Sequence, residues 1–356
     1  MLTNKGKIEG LQILRAIAFL EIFLGHCGVR FFTGAFGVSI FMVLSGFCMA
    51  INYLPKIETM KVTLTGNIKF ALSKVKKLYG LHLIMLAVAW WFAKMPTSAQ
   101  AWKKMILDVF LLQSFSPHSE TYFSFNGVAW YLSVYLFVCL FALWIIKGFS
   151  KCKSKYTVLG ICAVIYGLMA VLGYAVTKKQ INIGDNFAYW FTYVFPGYRL
   201  LDFTLGAAFG WLYLHSEEFK VSRWMMTLLE AAGVAAFVLV ILIFHKIENI
   251  YPGLCYTVLF TPVSLLLVMI FAGSNGWIMR ILNNPLFRWI GNISSYTFLI
   301  HQMPIRYMGI YCFRSMTESA RVICIILISF AISAVGAELF KLVQNRKWMK
   351  RTEVIN

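Results

Sequence analysis

Two ionisable side chains, Arg15 and His26, stand eleven positions apart in the first apolar stretch of the sequence. At about 100° per residue, eleven steps bring them within about 20° of the same side of a helix, and a rise of about 1.5 Å per residue separates them by about 16 Å. A guanidinium binds anions, and an imidazole exchanges protons near neutral pH. One helix face is therefore predicted to present an anion-binding group towards one end and an acid–base group towards the other.

Each of these two residues also has a purely structural interpretation. The side chain of Arg15 can extend to the lipid headgroups, as long basic side chains near helix ends do. A histidine close to a membrane interface is more often structural than catalytic. Because ionisable groups inside an apolar helix are costly, both residues are nevertheless functional hypotheses.

Further ionisable residues lie inside apolar stretches. Arg199 and Asp202, at i and i+3, can neutralise one another on one helix face or can line a polar cavity. His301 lies near the centre of its stretch, where a neutral imidazole needs hydrogen-bond partners, so it is expected to face the protein interior. No role follows from the sequence for Glu21, Glu230 or Glu338.

Lys74 and Lys77 stand three positions apart just before the third apolar stretch. On a helix they share a face and can bind phosphates. An ordinary cluster of positive charge at the cytosolic side of a membrane explains them equally well.

Composition places these residues in a membrane protein. Apolar residues make up 60% of the 356 residues and charged residues 13%, against roughly 45–50% and about 25% in soluble domains. This excludes soluble, collagenous, disordered and disulfide-rich secreted classes. The eight cysteines lie singly without a C-x-x-C pair, and the six histidines show no metal-ligand spacing. We therefore expect reduced, space-filling cysteines and no metal site.

Ten apolar stretches are long enough for helices that cross a bilayer, which requires about 20 residues. We expect an all-α bundle of about ten transmembrane helices, forming a single integral membrane domain over residues 1–356 without a fused extracytoplasmic domain. Residues 101–115 are amphipathic and are expected to lie along the interface, with a re-entrant course as the alternative. The predicted spans are residues 11–27, 35–53, 78–93, 128–146, 158–176, 187–214, 224–244, 254–272, 289–311 and 322–343.

The distribution of lysine and arginine predicts the orientation. With the amino terminus in the cytosol, 21 of the 33 basic residues fall on the inner side and 10 on the outer side, while Arg15 and Arg199 lie within spans. This bias follows the positive-inside rule and places both termini in the cytosol. The net charge of +19 is thus a topological signal and an attraction to anionic lipid, and nucleic acid is not an expected partner.

Several sequence blocks resemble the acyltransferase type 3 family of integral membrane O-acyltransferases. Arg15 and His26 match its Arg-x10-His first helix, and residues 37–47, GVSIFMVLSGF, are similar to its second helix. Residues 198–206, YRLLDFTLG, look like its Arg-x-x-Glu-Phe-x-x-Gly block, and residues 291–301, GNISSYTFLIH, look like its Gly-x-Ile-Ser-Tyr-x-x-Tyr-Leu-x-His block. The likeness extends over nearly the whole chain.

The sequence departs from the family pattern at several of these places. Lys74 and Lys77 stand where relatives have Arg-x-x-Arg, which keeps the charge but loses bidentate phosphate geometry. Tyr135 stands where relatives often have the Glu of Trp-x-Leu-x-x-Glu, so a phenol replaces a carboxylate. Ser39 replaces a common Asp. These differences suggest a divergent subgroup.

The resemblance implies transfer of an acyl group, usually acetyl, from cytosolic acyl-CoA to a hydroxyl of a cell-surface glycan or a lipid-linked precursor. The polar nucleotide of CoA would stay at the basic inner face, at Lys74 and Lys77. Its pantetheine arm, roughly 15–20 Å long when extended, would lie along the face from Arg15, which would hold a phosphate or the pantetheine amides, to His26, the proposed general base.

A second tier of residues is expected to line this route, and a rival function stays open. The second-tier candidates are Ser45, Tyr135, Arg199, Asp202 and His301.

Buried Arg, Asp and His residues would serve a transporter or flippase equally well, without covalent chemistry. A bacterial plasma membrane is the expected location. Acyl-CoA, a glycan or lipid-linked sugar and the bilayer are the expected partners.

The predicted orientation can be tested with carboxyl-terminal fusions. We expect green fluorescent protein fused after Asn356 to fluoresce, and alkaline phosphatase fused at the same position to be inactive, because the positive-inside rule keeps this end in the cytosol. Active phosphatase together with a dark fluorescent fusion would reverse the topology.

Overall fold

The computed structural model describes residues 9–95, 97–179, 183–216, 221–273, 275–313 and 315–353. Within these ranges the regular elements are helices and no strand occurs, as the all-α prediction requires. The α-helices are α1 (Glu9–His26), α2 (Ala35–Tyr53), α3 (Leu64–Phe92), α4 (Ala99–Val109), α5 (Ser119–Tyr122), α6 (Trp130–Ser150), α7 (Lys155–Lys179), α8 (Phe187–Tyr189), α9 (Pro196–Leu214), α10 (Arg223–Ile247), α11 (Pro252–Cys255), α12 (Phe260–Gly273), α13 (Trp277–Leu282), α14 (Pro285–Ile300), α15 (Gln302–Tyr311) and α16 (Glu318–Glu353).

Seven helical segments of the described chain are long and apolar enough to cross a membrane, which makes this a multi-pass membrane protein. They contain α2, α3, α6, α7, α10, the α11–α12 segment and α16. The other three predicted spans are helical as well. However, α1 carries Glu9, Arg15 and Glu21, α9 carries the Arg199–Asp202 pair, and α14 has only 16 residues.

The central helix of the bundle is α2, which packs against α1, α9 and α12 and has most of its side chains buried. Helix α1 packs on its other side against α14. Helices α7, α10 and α16 lie outside this core and present exposed apolar side chains, among them Val171, Leu239 and Leu327. A helix this apolar on its exposed side suits contact with lipid.

The third helix begins earlier than the sequence predicts. It starts at Leu64 rather than residue 78, and the side chain of Thr63 caps it by accepting a hydrogen bond from the amide of Gly66. The expected loop over residues 54–77 therefore consists mostly of helix. As a consequence, Lys74 and Lys77 lie well inside α3 and not at its start.

Helix α4, in the segment for which the sequence predicts an interfacial or a re-entrant course, packs along α3. Near its start, the rings of Trp102 and Trp90 are 5.1 Å apart. Near its end, the carbonyl oxygen of Val109 accepts a hydrogen bond of 2.7 Å from the Tyr79 hydroxyl. Since Tyr79 precedes Trp90 on α3 by about three turns, α4 runs antiparallel to α3 and packs beside it.

Two of the predicted spans, residues 187–214 and 289–311, are each divided into shorter helices. A π-helical turn, Trp190–Val194, precedes Pro196, which begins α9. Proline lacks an amide hydrogen and disfavours helical geometry at the preceding residue, and Phe195 is extended, with ψ of 122°. The span over residues 289–311 is divided at His301, between α14 and α15.

Helices α2 and α9 touch through their backbones at two glycines. A Cβ atom on Gly46 would stand 2.0 Å from the carbonyl oxygen of Phe203, and one on Gly206 would stand 2.1 Å from that of Val43. Small residues allow such approach between membrane helices. The Gly46 of the family-like second block is therefore explained by packing.

We expect Gly46→Ala to lower the midpoint of thermal unfolding in detergent, because the added methyl group has no room and overpacking costs about 1–3 kcal/mol. Gly167→Ala is the control, since a Cβ there meets nothing within 4 Å. The control should leave the midpoint unchanged or raise it, as alanine favours helices. Equal midpoints for the two variants would contradict this account of the α2–α9 contact.

Candidate functional site

His26 is the last residue of α1, and its side chain is exposed. Its Nδ1 lies 2.9 Å from the carbonyl oxygen of Ile22. A carbonyl oxygen only accepts hydrogen bonds, so Nδ1 carries the hydrogen and the lone pair of the neutral ring is on Nε2. Within the described ranges Nε2 has no hydrogen-bond partner. The backbone therefore fixes the tautomer that a general base needs.

The structure brings His26 together with His301. The Nε2 atom of His301 lies 3.3 Å from Nδ1 of His26, and the two ring centroids are 5.1 Å apart. His301 itself is fully buried. Both histidines are candidates from the sequence, but no local spacing pairs them, since they are 275 positions apart.

Glu21, to which the sequence assigned no role, holds the loop between α1 and α2. Its Oε1 accepts hydrogen bonds from the Thr33 amide at 2.9 Å, the Thr33 hydroxyl at 2.8 Å and the Gly34 amide at 2.9 Å, and its Oε2 accepts one from the Gly37 amide at 2.7 Å. All four bonds need an acceptor, which suits an ionised carboxylate at a helix N-terminus. The carboxylate thereby caps α2.

Two glycines make this arrangement possible. Gly34 has φ of +70°, a conformation that other residues adopt with strain. A Cβ on Gly37 would stand 2.3 Å from the carbonyl oxygen of Ala18 and 2.7 Å from Oε2 of Glu21. The loop can fold back closely on α1, next to His26, only with these residues.

Arg15 lies half-buried on α1 beside a group of polar side chains from α2 and α6. It interacts electrostatically with Tyr131, Tyr135 and Cys48, and the phenol of Tyr131 also interacts with the Ser45 hydroxyl. Among the described residues Arg15 forms no ion pair. Two of the predicted site residues, Arg15 and Tyr135, thus interact electrostatically, and Tyr131, which no sequence motif indicated, interacts with Arg15 and Ser45.

The column that joins Arg15 to His26 is aromatic. The ring of Phe298 on α14 lies 5.5 Å from that of Tyr131 and 5.8 Å from that of His301. Tyr131 interacts with Arg15, and His301 contacts His26. We call Arg15, Tyr131, Phe298, His301 and His26 the central column.

The two predicted phosphate ligands, both on α3, differ in their surroundings. The Nζ atom of Lys74 lies 2.8 Å from the Tyr53 hydroxyl and interacts with Cys139, which in turn interacts with Tyr135. Lys74 is therefore half-buried and bonded to Tyr53 of α2. Lys77 is exposed at the surface.

Arg199 and Asp202 form a fully buried pair, with Arg199 Nη2 and Asp202 Oδ2 3.0 Å apart. Arg199 also donates a hydrogen bond of 2.8 Å to the Thr257 hydroxyl, which joins α9 to the turn before α12. Both residues interact electrostatically with Tyr131. They border the central column, but neither is exposed to an open cavity.

The other two unassigned carboxylates have structural partners. Glu230 accepts hydrogen bonds from the amides of Gly276 and Ile278, both at 2.9 Å, and so caps α13. Glu338 accepts one of 2.9 Å from the indole of Trp289 and joins α16 to α14.

In the described part of the chain, no group of three or more His, Cys, Asp or Glu side chains is arranged to hold a metal ion. The cysteines that the structure describes are unpaired thiols. What the central column offers is an oriented imidazole at one end and a guanidinium among hydroxyl groups at the other. This arrangement suits proton transfer at one end and anion binding at the other.

Comparison with known proteins identifies relatives of this chain. A family model described as an acyltransferase domain matches residues 8–338. Acyltransferase MdmB of Streptomyces mycarofaciens is 24% identical over 374 aligned positions, covering 95% of this chain and 91% of that protein. A Staphylococcus aureus protein of strain COL, named provisionally as an O-acetyltransferase, is 26% identical, and its counterpart in strain MSSA476 is 25% identical.

The coverage differs between these relatives. For both Staphylococcus proteins the similarity covers 85% of this chain but 52% of theirs, so the chain spans about half the length of those relatives. No solved structure matches the chain.

We expect Glu21→Ala to lower the thermal unfolding midpoint strongly, because it leaves buried amide donors without an acceptor, at about 1–3 kcal/mol for each unsatisfied group. Glu21→Gln keeps an acceptor oxygen and should lose less. Glu58→Ala, at an exposed carboxylate that accepts a bond from Ser150, is the matched control. A Glu21→Ala protein as stable as the control would show that the cap contributes little.

Proposed function

This chain belongs to the acyltransferase family whose domain model matches residues 8–338, and from that premise we propose a specific reaction for it. The protein acts as a membrane O-acyltransferase that moves an acetyl group from acetyl-CoA to a hydroxyl of an extracytoplasmic or lipid-linked glycan. Acetyl is the proposed acyl group because the names of the Staphylococcus relatives refer to O-acetyl transfer.

The orientation of His26 carries this proposal. His26 is exposed at the end of α1, its Nε2 lone pair has no hydrogen-bond partner within the described ranges, and its Nδ1–H is held by the Ile22 carbonyl oxygen. Nε2 takes the proton of the acceptor hydroxyl as the hydroxyl oxygen attacks the thioester carbonyl carbon. The carbon–sulfur bond then breaks, and the CoA thiolate takes the proton from His26. General-base assistance of this kind contributes about 10²- to 10⁴-fold to a rate.

The other end of the central column provides the binding site for the donor. Arg15 is a cation that forms no ion pair among the described residues, and it interacts electrostatically with the phenols of Tyr131 and Tyr135. A phosphate or the amides of pantetheine would satisfy it. Lys74, bonded to Tyr53, would add positive charge on this side from α3, and the exposed Lys77 would contact the nucleotide phosphates in water.

The length of the column matches the donor. An extended pantetheine arm of roughly 15–20 Å can span the axial distance of about 16 Å between Arg15 and His26. With the predicted orientation, the nucleotide stays at the cytosolic side and the thioester reaches the opposite side. The membrane is then the bacterial plasma membrane, and the acceptor is reached at its outer face.

The reaction can be tested with [14C]acetyl-CoA and membrane vesicles that contain the protein. We expect transfer of label into alkali-labile ester in the glycan fraction, and we expect His26→Ala to reduce the rate by at least about 10²-fold, since the base is lost. His215→Ala is the control, because that histidine stacks on Trp211 away from the column. Protein amount is measured in parallel.

Two results would contradict the proposal. Full transfer by His26→Ala at normal protein levels would remove His26 as the base. Glycan movement across the vesicle membrane without formation of labelled ester would favour the transporter.

A further inference from the structure

We propose that His301 is a positioning residue that accepts the Nδ1 hydrogen of His26 and stabilises the His26 cation formed during transfer. This inference rests on the proposed function and goes beyond it, since it assigns to His301 a part in the reaction rather than in lining a cavity. The observation behind it is the contact of 3.3 Å between Nε2 of His301 and Nδ1 of His26.

The direction of this contact follows from the other hydrogen bonds of the two rings. The Nδ1 atom of His301 lies 2.7 Å from the carbonyl oxygen of Phe298. Because a carbonyl oxygen can only accept, Nδ1 of His301 carries a hydrogen and Nε2 of the neutral ring carries the lone pair. Nδ1 of His26 likewise carries a hydrogen, held by the Ile22 carbonyl oxygen at 2.9 Å. His26 is therefore the donor, and His301 is the acceptor.

The surroundings of His301 keep it neutral and in place. The residue is fully buried, and the rings of Phe19, Phe23 and Phe298 lie with their centroids 5.9, 6.0 and 5.8 Å from its ring centroid. Among the described residues, no carboxylate forms an ion pair with it. An isolated charge in such a setting is costly, so the proton taken from the acceptor hydroxyl stays on His26.

The contact with His301 stabilises the transfer reaction only when positive charge develops on the His26 ring. In the resting state, the neutral His26 ring shares its Nδ1–H between the Ile22 carbonyl oxygen and Nε2 of His301. When Nε2 of His26 takes the acceptor's proton, the ring becomes cationic and both bonds become charge-assisted, and therefore stronger. His301 gains and loses no proton. An interaction that strengthens towards the transition state raises kcat more than it affects substrate binding.

The test replaces His301 by side chains that can or cannot accept a hydrogen bond from His26. We expect His301→Leu to lower kcat by about 10- to 100-fold, the range for a hydrogen bond to a charged group, with the KM for acetyl-CoA changed by less than about threefold. His301→Gln retains an oxygen that can accept the Nδ1–H of His26, and should recover most of the lost kcat. If His301→Leu does not accumulate, His301→Phe, which also lacks an acceptor, replaces it.

A double-mutant cycle separates this role from packing. Once His26 is replaced by Ala there is no cation to stabilise, so His26→Ala with His301→Leu should be no slower than His26→Ala alone. Ser294→Ala is the control and should keep kcat. It removes a buried hydroxyl on α14 that donates a hydrogen bond to the Gly291 carbonyl oxygen.

The outcomes distinguish this inference from the proposed function. A His301→Leu protein with the kcat of the wild type, alongside an inactive His26→Ala protein, would overturn the role of His301 and leave His26 as the base. Equal losses of kcat in His301→Leu and His301→Gln, with equal losses of thermal stability, would reduce His301 to a packing residue. Full activity of His26→Ala would overturn the proposed function itself.

Discussion

The buried carboxylate of Glu21 is the constraint on which the candidate site depends. A single side chain on α1 accepts four hydrogen bonds from Thr33, Gly34 and Gly37, and so closes the hairpin between the first two helices. His26 ends α1 only five residues further on, which is less than two helical turns. Its position therefore depends on how tightly the loop is held. A buried carboxyl group is costly without such complete pairing, and the same four bonds hold the loop against α1.

Some polar side chains of the interior are paired with other protein groups and hold helices together. Others lack such a partner and are candidates for binding or catalysis. Arg199 and Asp202 pair within α9, and Arg199 also bonds to Thr257 before α12. Glu230 and Glu338 bond to groups on neighbouring segments. Arg15 differs, because it forms no ion pair among the described residues. His26 differs as well, since it is exposed and its Nε2 has no hydrogen-bond partner within the described ranges. The proposed donor and acceptor sites are placed at these two residues.

Local pattern predicted the helices better than their ends and breaks. All ten predicted spans are helical in the described chain, and seven of them contain helices long and apolar enough to cross a membrane. The start of α3 was missed because its first turns carry lysines, which resemble a cytosolic loop until Thr63 is seen to cap a helix. The course of α4 was left between two alternatives, because its amphipathic pattern suits an interface as well as a groove beside α3. The break at His301 left no mark in the apolar pattern.

Relations between residues of one helix could be predicted from the sequence, whereas relations between helices depend on how the helices pack. The shared face and spacing of Arg15 and His26 follow from helical geometry, which is the same wherever the helix is placed. The pairing of His26 with His301 depends instead on how α1 packs against α14, where the backbone of Gly291 approaches the carbonyl oxygen of Gln12 so closely that a Cβ would stand 2.1 Å away. Such contacts depend on the complementary shapes of side chains hundreds of positions apart, and no local spacing encodes them.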